Sequence, residues 1–93
     1  MQVQNLGGRA LNPIIMTLHI YTLDKTLYDG SAASVSLPTS DGIITVLQNH
    51  EPLVTVLKKG NIIAKIGSEE KTFAIKNGFA KISGESVLVL AEE

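Results

Sequence analysis

From Thr17 onward apolar and polar residues alternate in short runs, broken by Gly, Pro, Asp and Asn. The breaks recur about every 8 to 12 residues, the spacing of strands in an all-β sandwich or barrel. Leu18 and Ile20 alternate with Thr17 and His19, and Val35 and Leu37 with Ser34 and Ser36, until Pro38 closes that run. Successive side chains of a strand point to opposite faces, so each of these runs has one apolar side to bury. Asp29-Gly30 and Asp41-Gly42 read as turns, and Asn77-Gly78 as a strong hairpin signal. Residues 43–47 and 53–57 are apolar except at Thr45 and Thr55, which predicts strands buried on both faces. Ile62, Ala64 and Ile66 share a side, residues 67–70 form a loop, Phe73 and Ile75 resume, and residues 79–82 and 87–90 flank a turn at 83–85. The pattern is all-β, with eight or more strands.

Residues 1–15 fit neither period. They are polar and contain glycine, with Pro13 near the end, and read as a flexible amino-terminal extension to a domain spanning 16–93. Met16 stands at the change, so a start at that residue is the alternative reading. Composition agrees with strands, because seven Val, ten Ile and seven Thr outweigh seven Ala. The apolar runs are all far shorter than a membrane-spanning helix needs.

Eight basic against nine acidic residues leave a net charge of −1, which excludes the basic surface that nucleic-acid binding requires. With no cysteine there is neither a disulfide framework nor a thiolate ligand or nucleophile. His19 and His50 lie 31 positions apart without a carboxylate at ligand spacing, so no metal site is expected. His19 falls on the polar phase of its strand. His50 sits in a polar loop, Gln48 to Pro52, where bonding to its own turn is the common outcome. Ser31, Ser34, Ser36 and Ser40 lack a nucleophile elbow, and Gly7-Gly8 lacks the surroundings of a phosphate loop. Glu69-Glu70 and Glu92-Glu93 read as solvated pairs. Tyr21, Phe73 and Phe79 fall within strands and are expected in the core, which leaves no exposed aromatic platform. The residues describe a binding module with neither catalytic residues nor a cofactor.

Taken in order, the runs 18–30 (LHIYTLDKTLYDG), 35–42 (VSLPTSDG), 46–53 (VLQNHEPL), Gly60, Asn77-Gly78-Phe79 and 87–91 (VLVLA) resemble the amino-terminal domain of the epsilon subunit of F-type ATP synthase. The resemblance covers about residues 16 to 92, and its most specific piece is the Asn-His-x-Pro-Leu loop followed by Leu57-x-x-Gly60. It implies a flattened β-sandwich of about ten short strands. It further implies a non-catalytic rotor subunit of the central stalk, joining the gamma subunit to the c-ring and coupling proton- or sodium-driven rotation to ATP synthesis in the catalytic head. Such a subunit is a peripheral membrane protein on the cytoplasmic face of a bacterial plasma membrane, held there only through the complex, and monomeric when isolated.

The family's ring-facing loop falls on Ser40, Asp41, Gly42 and Ile43, and its gamma-facing side on Thr22, His50 and Thr55. Asn49 and Pro52 shape the loop between those surfaces. Many members carry an acidic residue at the position of Ile43, a glycine at Thr45 and a proline at Gln48. Many also continue into an inhibitory two-helix hairpin, which the sequence through Glu93 does not contain, so the resemblance implies coupling without that restraint. The alternative is a stand-alone β-sandwich that binds a peptide or a carbohydrate.

Overall fold

The computed structural model describes residues 15–93; within them the chain forms nine strands and no helix. Most of the expected extension, residues 1–14, lies outside the described residues. The strands are β1 (Met16–Tyr21), β2 (Thr26–Ala32), β3 (Ser34–Thr39), β4 (Gly42–Val46), β5 (His50–Leu57), β6 (Gly60–Ile66), β7 (Glu69–Ile75), β8 (Asn77–Gly84) and β9 (Ser86–Glu92).

They join in one sheet of order β2-β1-β9-β8-β5-β3-β6-β7, with β4 added to β3. All pairings are antiparallel except that of β1 with β9. Between β5 and β3 the ladder thins to the single pair Thr39–Leu57, and there the sheet turns over on itself. The opposite edges meet again where Tyr28 of β2 packs on Phe73 of β7, ring centroids 6.0 Å apart. The result is a nearly closed barrel, the all-β sandwich expected from the sequence.

The inner phase of the strands is largely apolar. Leu18, Ile20, Val35, Leu37, Val46, Leu57, Ile62, Ile82, Val87 and Val89 are fully buried side chains of one core. Each contributes on the order of 1.5–3 kcal/mol of transfer free energy. Thr39 is the exception, a polar residue only 3% exposed. Its Oγ1 donates to the Gly42 carbonyl at 2.6 Å and accepts from the Asp41 N–H at 3.2 Å, so the hydroxyl closes the β3–β4 turn from inside.

Three turn expectations change. Asp29 and Gly30 lie inside β2, paired with His19 and Leu18, and the real turn is 22–25. The Tyr28 ring folds over Gly30, its OH 3.1 Å from where a Cβ would stand, so a side chain there would have to push that ring aside by a few tenths of an ångström. Asn77 and Gly78 form no hairpin: they open β8 and pair with Glu92 and Ala91, while β7 and β8 are not neighbours. Of the loop expected at 67–70, only Gly67 and Ser68 lie outside the paired strands, with Gly67 at φ 62°.

Pro38, expected to end its strand, lies within β3 opposite Ile43. Thr39 and Gly42 close a two-residue turn, so the next pair outward is a non-hydrogen-bonded one and the missing N–H costs no bond to β4.

The two apolar runs are not buried on both faces. In 43–47 only Val46 is buried, and in 53–57 only Leu57 is, with Thr55 half-buried. Both runs alternate as ordinary one-sided strands whose outward phase is also apolar. Phe79, expected in the core, belongs to the same exposed phase.

Candidate functional site

The outward residues of β5, β8 and β9 line up across the sheet. Val56 stands opposite Phe79, Phe79 opposite Leu90, and Leu90 beside Tyr21 of β1. Val54 and Val56 are each 66% exposed, Phe79 47% and Leu90 41%, which makes a continuous apolar band on the outside of the barrel. Scattered exposed aliphatics are ordinary, whereas a contiguous band marks an interaction surface. The sequence carries a signal for it, since residues 53–57 are apolar on both phases, but one strand alone does not say whether its second face meets its own core or a partner.

Tyr21 continues the band toward polar chemistry. Its ring stacks on His19 at 5.8 Å, and its OH lies 3.2 Å from His19 Nδ1. The same Nδ1 lies 2.8 Å from Asp29 Oδ1 on β2. His19 thus fastens β1 to β2 on the outer surface. Among the described residues there is no cluster of three metal-ligating side chains.

The expected ring-facing residues form one feature. Ser40 and Asp41 are the tip of the β3–β4 hairpin, Gly42 takes φ 113°, and Ile43 follows with 76% of its surface exposed. Thr22 lies at this same end of the barrel, where its Oγ1 accepts from the N–H groups of Asp24 at 3.3 Å and Lys25 at 3.2 Å.

His50 lies at the other end. Asn49 adopts φ 65°, a left-handed conformation that asparagine tolerates, and its N–H donates to the Gly84 carbonyl at 2.8 Å. His50 Nδ1 donates to the Glu51 carbonyl at 2.8 Å, the local bond expected of it. Pro52 falls in the irregularity between His50 and Leu53, where β5 shifts its register against β8. Thr55 sits between the two ends but on the opposite phase from Val54 and Val56, paired with Ala80. The structure therefore unites Ser40 to Ile43, and sets Thr22 and His50 at the two ends of the apolar band.

A nearly closed sandwich presenting an apolar band and a hydrogen-bonded hairpin tip defines a protein-interaction module. The chain belongs to the ATP synthase delta/epsilon family: residues 15–93 match the family described as "ATP synthase, Delta/Epsilon chain, beta-sandwich domain". The resemblance read in the sequence therefore holds.

The chain is 36% identical over 75 residues to the ATP synthase epsilon chain of Prochloron didemni, covering 81% of this chain and 55% of that protein. It is 37% identical over 78 residues to the epsilon chain of Chlorobaculum tepidum, covering 83% of this chain and 89% of that one. It thus spans about half the length of some relatives and most of others. Among solved structures, a chain of the Euglena gracilis mitochondrial ATP synthase shares the fold with a TM-score of 0.81 at 22% identity, covering 100% of this chain and 60% of that one. A chain of the Tetrahymena thermophila mitochondrial ATP synthase central stalk and c-ring does so at 0.71 and 12%, covering 84% and 63%.

Proposed function

We propose that this chain is a non-catalytic rotor subunit of an F-type ATP synthase, joining the gamma subunit to the c-ring and transmitting ion-driven rotation to the catalytic head. The observation that carries the reading is the apolar band on a nearly closed barrel of the epsilon family. A torque joint needs a stiff body with a partner-matched surface, and the nearly closed sheet supplies the stiffness.

In this reading the tip Ser40, Asp41, Gly42 and Ile43 meets the ring. The gamma subunit covers the band of Val54, Val56, Phe79 and Leu90, with Thr22 and His50 at its margins and Thr55 behind it, while Asn49 and Pro52 hold the His50 loop in shape. The domain works as a peripheral component on the cytoplasmic face of a bacterial plasma membrane, attached through its partners.

Affinity purification of the chain from native membranes tests this. Recovery of the gamma, catalytic and ring subunits is expected, and Ile43→Asp or His50→Ala should reduce that recovery while leaving the fold intact. Recovery of none of these subunits would overturn the proposal, and specific retention on a peptide or glycan array would then favour the stand-alone module.

A further inference from the structure

Three dipeptides of the chain place an acid or amide side chain before a glycine: Asp29-Gly30, Asp41-Gly42 and Asn77-Gly78. In such a pair the glycine nitrogen can close a five-membered ring on the side-chain Cγ, because the second residue has no Cβ in the way. Closure needs that nitrogen released from its own hydrogen bond and the backbone turned out of the extended form. The three sites differ in this respect. Gly78 is paired on both sides, with Leu57 of β5 and Ala91 of β9, and the Asn77 carboxamide donates to Glu92 Oε1 at 2.7 Å. Gly30 is paired with Leu18 beneath the Tyr28 ring, and Asp29 Oδ1 lies 2.8 Å from His19 Nδ1. Asp41 is one half of a two-residue turn, exposed together with Gly42, and among the described residues its carboxylate has no ion pair. The space where a Cβ of Gly42 would stand is open. Only the terminal pair Thr39–Gly42 has to part at the tip, whereas Gly78 has to leave two neighbouring strands. Local opening at an exposed turn takes far less free energy than opening a central ladder.

We propose that Asp41 is a site of spontaneous covalent modification, isomerising through a succinimide to isoaspartate, and that the fold spares Asn77, the more reactive residue type. In the first step Gly42 N bonds to Asp41 Cγ, while the carboxyl hydroxyl and the amide proton leave as water. Water then opens the imide. Attack at Cγ restores aspartate. Attack at the main-chain carbonyl carbon leaves Gly42 joined through Cγ, with the former main-chain carboxyl as a side group. The mass is unchanged, but the main chain of the turn carries one more methylene. A two-residue turn lengthened in this way no longer sets Thr39 opposite Gly42, and the Asp41 N–H loses its place on Thr39 Oγ1. The product, a free carboxyl beside a displaced peptide bond, is the substrate class of isoaspartyl carboxyl methyltransferases.

Prolonged incubation of the folded full chain in heavy-oxygen water at neutral pH, followed by peptide mapping with electron-transfer fragmentation, tests the proposal. Heavy oxygen and isoaspartate should appear at Asp41, and conversion there should exceed deamidation of Asn77 by at least about tenfold. In guanidinium the order should reverse, because an amide loses ammonia more readily than a carboxyl loses water once neither is held by the fold. Asp41→Glu, which would need a six-membered ring, should lose the label at the tip at unchanged melting temperature. Thr39→Val, which frees the Asp41 N–H and the Gly42 carbonyl, should speed conversion at Asp41 more than at Asn77. Absence of isoaspartate at Asp41 in the folded chain overturns the inference. So does conversion of Asn77 at an equal or greater rate there, or an order of the two sites that unfolding leaves unchanged.

Discussion

Gly60 lies against the ring of Pro38 so closely that a Cβ at position 60 would stand 2.8 Å from Pro38 Cβ and 3.2 Å from its Cγ. Pro38 is buried in β3 and its ring cannot swing aside. The contact seats the start of β6 on β3. Gly60→Ala should therefore destabilise the domain by about 1–3 kcal/mol through overpacking. Urea unfolding would read this as a lower midpoint at unchanged m-value; an unaltered midpoint would mean that the Pro38 ring yields.

Gly78 and Gly67 separate two reasons for glycine. At Gly78 an added Cβ would stand 2.9 Å from Ala91 Cα, held in the β8–β9 ladder, so Gly78→Ala should cost about 3 kcal/mol and lower the melting temperature by more than about 10 °C. Gly67 has open space around it but φ 62°, so Gly67→Ala should cost only about 1 kcal/mol, from backbone strain. Thermal melts of the two variants give the order.

Replacing Thr39 by Val keeps the shape and removes both hydrogen bonds at the hairpin tip. The Gly42 carbonyl and Asp41 N–H lose their partner, and a loss of about 1–3 kcal/mol is expected. Faster hydrogen exchange at the Asp41 amide, out of proportion to the global change, would show that the tip itself has loosened.

The apolar band and the core should respond in opposite ways. Leu37→Ala, at a fully buried site, should destabilise by about 2–5 kcal/mol. Val56→Ser and Phe79→Ser, on the outer face, should leave the melting temperature within a few degrees. If the band is the gamma contact, each should weaken gamma binding by about 1–3 kcal/mol, measured by calorimetry with purified gamma.

The period-2 pattern made Leu18, Ile20, Val35 and Leu37 legible as one side of a core, because alternation records burial directly. Turn chemistry was less transparent. Asp41-Gly42 does mark a reversal, but Gly30 lies within a strand beneath the Tyr28 ring, and Gly78 is a glycine for want of room against Ala91. A dipeptide does not distinguish a backbone that must bend from a side chain that must be absent. The outer band was hidden for a related reason. Val54, Val56 and Phe79 have the composition of a core, and only the position of β5 and β8 in the sheet shows that, among the described residues, no layer lies above their second face.

The parallel pairing of β1 with β9 has a kinetic consequence. Thr17 pairs with Ser86, so neighbours in the sheet are separated by nearly the whole domain. Hairpins β3–β4 and β6–β7 can form locally on the scale of about 1–10 μs, but β1 has only β2 for company until the last strand is available. Closing so long a loop spends chain entropy before the core repays it, which places folding in the millisecond-to-second range of non-local β topologies. On the ribosome, the nascent domain must wait for residues 86–92 to emerge before β1 gains its second neighbour, and until then the inner faces of Leu18 and Ile20 are open to any chaperone or sticky surface within reach.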